Sequence, residues 1–216
     1  MAKTVTAAEM KERERAANEA GLLYIQMMEN AGRAAWKELK ARVPVLRRLL
    51  IVAGKGNNGG DGFVMARVAA KEGVQVRVLL AEGEPKTADA KTNLARLAET
   101  AAEIVRDTEQ AAFGADAVVD ALYGTGFHGE LRPDGAAACA LMGRERERGA
   151  FVLALDLPSG VSADSGEVAE GAVQADATVT FDCTKPLHFA KASKPLCGAL
   201  VCADIGIGKA LGERET

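Results

Sequence analysis

Short apolar runs recur along the chain, each bounded by glycine or polar residues: Leu49–Ala53, Val74–Leu80, Ala102–Val105, Ala117–Asp120, Phe151–Leu155, Thr178–Phe181 and Ala199–Ala203. Runs this short and this apolar predict strands buried on both faces, as in a parallel sheet. Between them the spacing turns helical. Thr87 caps a stretch running through Asn93, Leu94 and Leu97, a brief helix precedes Ala117, and Ala136–Arg148 reads as another. Two helices come first. Thr6-Ala7-Ala8-Glu9 has capping-box spacing and starts a helix that runs to Asn18, and Gly21 breaks it. A second helix, from Leu23 to Ala41, sets Ile25, Met28, Gly32, Ala35, Trp36 and Leu39 on one face. Met27 and Met28 read as core or interface rather than as ligand contacts. The expected architecture is α/β and Rossmann-like: a mostly parallel sheet, helices on both faces, and residues 1–42 as a helical extension packed on it. No linker or repeat interrupts the pattern, so 1–216 reads as one domain, with Ala199–Ala203 at an edge of its sheet.

Composition narrows the function. Apolar content of 48% over 216 residues is ample for a core and argues against disorder. A net charge of -3 without a concentrated basic run gives no electrostatic case for nucleic acid. No apolar run is long enough to span a bilayer, and Met1-Ala2-Lys3 leads into polar helix, so no membrane partner is expected. Cys139, Cys183, Cys197 and Cys202 lack C-x-x-C spacing; with only His128 and His188 beside them, they read as reduced cysteines of a cytoplasmic protein and not as a zinc site.

The first strand ends in Gly54-Lys55-Gly56-Asn57-Asn58-Gly59-Gly60-Asp61-Gly62, with helix expected from Phe63. Strand, glycine turn and helix is the geometry in which backbone N–H groups hold an anion. Gly54 to Gly59 matches G-x-G-x-x-G, and Glu82 follows at the spacing of a ribose-binding acid. Asp61 among the glycines departs from a dinucleotide turn, because a carboxylate there repels pyrophosphate. The loop instead offers acceptors as well as donors, suited to a cation or polar head group.

Two further strands end in aspartate. Asp120 opens Asp120–Gly129, and Asp156 opens Asp156-Leu157-Pro158-Ser159-Gly160. In an open parallel sheet, ligands bind beyond the carboxyl ends of the strands. Either aspartate alone reads as a cap or turn former; three polar loops converging at one sheet end read as a site. Asp120, Asp156, Ser159 and a carboxamide oxygen can serve as hard metal ligands or act on a substrate. Lys185 follows another strand and reaches the same rim, whereas His188 carries no signal.

With Met28-Glu29-Asn30-Ala31-Gly32, Gly54–Gly62, Asp120 with Gly124-Thr125-Gly126, and Asp156–Gly160 with Asp164 and Gly166, nearly the whole chain resembles the YjeF N-terminal domain family. The resemblance implies a metabolite-repair isomerase interconverting the R and S epimers of hydrated NADH and NADPH. An S-specific ATP- or ADP-dependent dehydratase, sometimes fused behind this domain, then restores the cofactor; Leu211–Thr216 reads as either a natural end or a cut. It further implies a homodimer and a potassium ion held by Asn58, Asp120 and Ser159. Substrate contacts are expected from Asn57, Asn58, Gly59, Gly60 and Asp61, from Gly124, Thr125, Gly126, Phe127, His128, Gly129 and Glu130, and from Asp156. Asp156 and Lys185 take the catalytic positions, though Thr184-Lys185-Pro186 departs from the family's lysine-rich surroundings. Proton transfer in both directions suits a carboxylate and an ammonium. The rival readings are a non-catalytic nucleotide-binding module and an NAD(P)-dependent oxidoreductase using Glu82; no Tyr–Lys or His–Asp pattern supports the latter.

Overall fold

A computed structural model describes residues 3–213. Met1-Ala2 and the tail residues Arg214-Glu215-Thr216 lie outside the described residues. The strands are β1 (Arg48–Ala53), β2 (Gln75–Leu80), β3 (Glu103–Val105), β4 (Ala117–Ala121), β5 (Phe151–Leu155), β6 (Ala177–Phe181) and β7 (Ala199–Ala203). They form one sheet in the order β3-β2-β1-β4-β5-β6-β7, and every neighbouring pair is parallel. The chain runs outward from β1 to β3 and returns to β4 on the other side of β1. The switch point, where such sheets bind ligands, therefore lies beyond Ala53 and Ala121. The last strand is at an edge, as its sequence suggests.

Burial on both faces explains the unbroken apolar runs. Leu49, Ile51 and Ala53 of β1 face one core with Val78, Val119 and Leu153. Leu50 and Val52 face the other, with Val118, Val152 and, from the helix α6 (Pro133–Glu147), Leu141 and Met142. The first core is covered by α2 (Tyr24–Arg42), α3 (Asn57–Lys71) and α4 (Ala88–Leu97), with Met28, Trp36, Leu39, Phe63 and Leu97 buried in it. Of the face read for α2, only Ile25 is not fully buried. α1 (Ala7–Glu19) carries the expected capping box. It is pinned to the exit of β6 by Arg13 on Asp182 (2.9 Å). Ala7 N–H also donates to Asp164 (2.7 Å). Two short helices, α5 (Thr108–Ala111) and α7 (Ile207–Ala210), complete the set.

The glycine-rich segment differs from its sequence reading. Helix begins at Asn57 rather than Phe63, so the turn is only Gly54-Lys55-Gly56 and the later glycines are helical. Their role is close approach. A Cβ on Gly59 would lie 2.0 Å from the Gly54 carbonyl oxygen, and one on Gly62 would meet Ala121 Cβ at 2.7 Å and Ile51 Cγ2 at 3.1 Å. Gly32 of α2 fits against Val64 Cβ (2.6 Å) and the Asp61 carbonyl oxygen (2.7 Å) in the same way. These contacts pull α3 onto the sheet and bring its first turn to the switch point. Two substitutions separate packing from propensity. Gly62→Ala gains helix propensity but overfills a rigid contact, and it is expected to lose about 1–2 kcal/mol in urea unfolding. Gly143→Ala in α6 meets nothing within 4 Å; it should gain about 0.5–1 kcal/mol.

Candidate active site

β5 ends at Asp156, whose backbone adopts a left-handed conformation (φ 66°) that aspartate tolerates better than most residues. This twist turns the side chain toward the exit of β6. Asp156 Oδ1 accepts from Lys185 Nζ at 2.5 Å and from Thr180 Oγ1 at 2.9 Å. Lys185 Nζ also donates to Thr180 Oγ1 (2.8 Å). The lysine is 1% exposed against 14% for the aspartate, so the ammonium is locked while the carboxylate retains an opening. The bonds to the carboxylate all fall on Oδ1; among the described residues Oδ2 has no hydrogen-bond partner, and it lies 3.7 Å from where a Cβ on Gly124 would stand. Burial pushes the Asp156 carboxyl upward, but the Lys185 charge and the bonds from Lys185 and Thr180 outweigh it and hold the group below the usual carboxylate range. The net result is an ionised base with one free oxygen.

His188, silent in the sequence, supports this pair. Its Nδ1 accepts from the Lys185 backbone N–H (2.9 Å), and its Nε2 lies 3.0 Å from the Asp156 carbonyl oxygen. Burial chiefly lowers its pKa to about 4. The ring is therefore neutral at physiological pH, and with Nδ1 accepting, Nε2 carries the proton and donates. One imidazole thus clamps the backbone of both residues of the ion pair. The Lys185 contact is local, three residues back at the cap of the Pro186–His188 turn, and only the Asp156 carbonyl, distant in sequence, ties the ring to the site.

Asn58, in the first turn of α3, spans the ends of two strands: its Nδ2 donates to the carbonyls of Tyr123 (2.8 Å) and Leu155 (3.2 Å). Its Oδ1 is buried without a hydrogen-bond partner. Asp120 accepts from Ser159 Oγ (2.6 Å) and from the backbone N–H groups of Ser159 (2.7 Å) and Leu122 (3.2 Å). Burial outweighs these bonds and raises its carboxyl to about 6. Ser159 Oγ in turn accepts from Tyr123 N–H (2.9 Å). Asn58, Asp120 and Ser159 are thus drawn together around the Tyr123 backbone.

A cleft of about 400 Å³ opens at this end of the sheet; Asn58 lines it, whereas Asp120 and Ser159 are fully buried and do not. Asn57, Asn58, Asp61, Asp156 and Lys185 line it, as do Gly124, Thr125, Gly126 and Phe127. The start of α3 lies at its wall, where the N-cap Gly56 provides no side-chain cap for the first-turn N–H groups. Gly59 and Gly60 are buried in α3 behind that wall, and His128, Gly129 and Glu130 are exposed beyond the cleft lining. Glu82 does line it, but its carboxylate accepts from the Tyr123 hydroxyl (2.8 Å). It also pairs with Lys55 (3.5 Å) and Arg132 (3.2 Å). Sequence reasoning missed Tyr123, Arg132 and Thr180, and also Glu14, which α1 brings to the cleft from a stretch read only as a helix running to Asn18. Among the described residues no three His, Cys, Asp or Glu side chains cluster as a metal site. All four cysteines are unpaired, and among the described residues no helix is long and apolar enough to cross a membrane.

Comparison with known proteins identifies relatives of the chain as a whole. Residues 24–187 match the family described as YjeF-related protein N-terminus. The NAD(P)H-hydrate epimerase of Pirellula staleyi is 41% identical over 206 residues, covering 89% of this chain and 87% of that protein. The bifunctional NAD(P)H-hydrate repair enzyme Nnr of Coxiella burnetii is 38% identical over 202 residues, or 93% of this chain. Its Escherichia coli namesake is 34% identical over 203 residues. The chain spans 41% and 39% of the length of these two bifunctional relatives. In structure, the crystal structure of yeast ynu0 superposes with a TM-score of 0.76 at 19% identity, over 94% of this chain and 88% of that one.

Proposed function

Because the chain belongs to the family of the YjeF-related protein N-terminus, we propose that it is an isomerase that interconverts the R and S epimers of hydrated NADH and NADPH. The observation that carries this reading is the Asp156–Lys185 pair, an ionised carboxylate with one free oxygen on the floor of the cleft. Water added to the reduced nicotinamide ring leaves a hydroxyl on the carbon beside the ring nitrogen. Inverting that carbon requires a base for the hydroxyl proton and an acid for the nitrogen as the ring opens and recloses. Asp156 Oδ2 takes the base role, and Lys185 keeps Asp156 ionised. Asn57, Asn58, Asp61 and Gly124–Phe127 hold the substrate, with its phosphates toward the start of α3. The relative from Pirellula staleyi, matched over most of both chains, bears the name of this activity.

Potassium belongs to the same reading. The buried, unpartnered Oδ1 of Asn58 is what a cation would satisfy, and the carboxylate of Asp120 and hydroxyl of Ser159 supply further hard oxygen donors. When bound, the ion offsets substrate phosphate charge. The homodimer draws support from Leu23 and Tyr24, exposed side by side at the start of α2. Unpaired cysteines fit a cytoplasmic setting, and a separate ATP- or ADP-dependent dehydratase acting on the S epimer completes the repair.

The test is a coupled assay. The R epimer of hydrated NADPH is mixed with an S-specific dehydratase and ATP, and recovery of NADPH is followed with and without this protein. Recovery faster than spontaneous epimerisation is expected. Equal rates, with substrate binding still detected by thermal shift, would leave a non-catalytic binding module in its place.

A further inference from the structure

The cleft holds more carboxyl groups than its one buried cation can balance. Glu14 of α1 and Asp61 of α3 line it together with Asp156. Lys185 is committed to Asp156. Among the described residues, neither Glu14 nor Asp61 has a side-chain hydrogen bond or ion pair, although both are partly buried. Glu14 is placed by its neighbour: Arg13 binds Asp182 at the end of β6 (2.9 Å), so the next side chain of α1 faces the cleft. A helix that looks like an appendage thereby forms one wall of the site. Resting on the function proposed above, we infer that Glu14 is a further catalytic residue, the general acid that complements Asp156.

Lys185 is poorly suited to that role, because its ammonium is held by Asp156, Thr180 and the Phe181 carbonyl. Giving up a proton would leave a neutral amine beside a carboxylate in a buried place. Glu14 has the opposite character. Burial, then repulsion from Asp156, raise its carboxyl to about 7. Asp182 adds to the rise, while Lys185 and Lys11 oppose it. Asp61 is raised well above its ordinary value by burial, Asp156 and Glu14. Near neutral pH the group of carboxyls therefore retains protons and can donate one. In the forward step Asp156 takes the hydroxyl proton as the C–O bond becomes C=O. The carbon–nitrogen bond breaks with its electron pair on nitrogen, and nitrogen takes the Glu14 proton. Half a turn about the bond to the freed carbonyl carbon presents its other face. Reversal then re-forms the ring and returns both protons, so no co-reactant is needed.

Glu14→Gln, nearly isosteric, tests this in the coupled assay. The expected result is a fall in kcat of about 10²–10³-fold with KM changed less than about threefold, and partial rescue by Glu14→Asp. In the parent protein, kcat should fall as pH rises through about 7, since the acid form is lost above its raised pKa. Glu14→Gln should lack that limb in its residual rate. An unchanged kcat in Glu14→Gln, or a parent kcat flat from about pH 6 to 8.5, would overturn the assignment even if the variant folded poorly. Should the parent protein not accelerate epimerisation at all, the proposed function itself fails and this role falls with it.

Discussion

Asp156→Asn is expected to bind hydrated NADPH and to lose about 10²–10⁴-fold in kcat. Asparagine accepts the left-handed backbone that Asp156 adopts (φ 66°), so the strand end keeps its course; alanine there would add strain to the loss of the group. The carboxamide oxygen can still accept from Lys185 and Thr180, which now bond Oδ1. What disappears is the free Oδ2 and its capacity to take a proton. KM should change little, because the cleft wall is built by other residues. Measuring kcat, KM and the melting temperature together isolates chemistry from folding. A variant with the parent's kcat would remove Asp156 from the role of base.

How far the sequence reveals the site depends on where each residue's partners lie. The strands are legible because a sheet covered on both faces leaves no polar alternation to confuse the pattern. The loops after β1, β4 and β5 are legible because glycine and aspartate signal turns in sequence, whatever the tertiary structure. The start of α3 is misread for a related reason. Gly59, Gly60 and Gly62 look like loop, and only the close approach to Gly54, Met28 and Ala121 explains glycines inside a helix. His188 and Thr180 lie close to Lys185 in sequence, but they acquire meaning only through Asp156, which comes from the end of another strand. Glu14 is hidden more deeply. Within Lys11-Glu12-Arg13-Glu14-Arg15 it looks solvated, and the Arg13–Asp182 contact that turns it inward is far apart in sequence. Glu82 stands at a ribose-binding spacing, yet its carboxylate is already engaged by Tyr123, Lys55 and Arg132.

Lys185→Met should reverse the electrostatics of the site. Methionine keeps the unbranched stem and fills similar space, so the change chiefly removes the charge and its donors. Asp156 is then a buried carboxylate without a cation, near Asp61 and Glu14, and the expected loss is about 3–5 kcal/mol at neutral pH. The pH dependence carries the sharper signature. In the parent protein the Asp156 carboxyl is depressed on folding. Its contribution to stability is present above the unfolded value of about 3.9 and is lost as pH falls through the depressed folded value. Without Lys185, burial dominates and the folded carboxyl is raised instead. The penalty then applies above the unfolded value, and the variant should gain stability as pH falls toward it. Urea unfolding at a series of pH values reads both effects. Replacing both partners, as Asp156→Asn with Lys185→Met, removes the uncompensated charge and should recover more than about 1 kcal/mol over Lys185→Met alone. A loss below about 1 kcal/mol in Lys185→Met, with the parent's pH dependence intact, would mean that the ion pair does not keep Asp156 ionised, and the base would have to be sought elsewhere in the cleft.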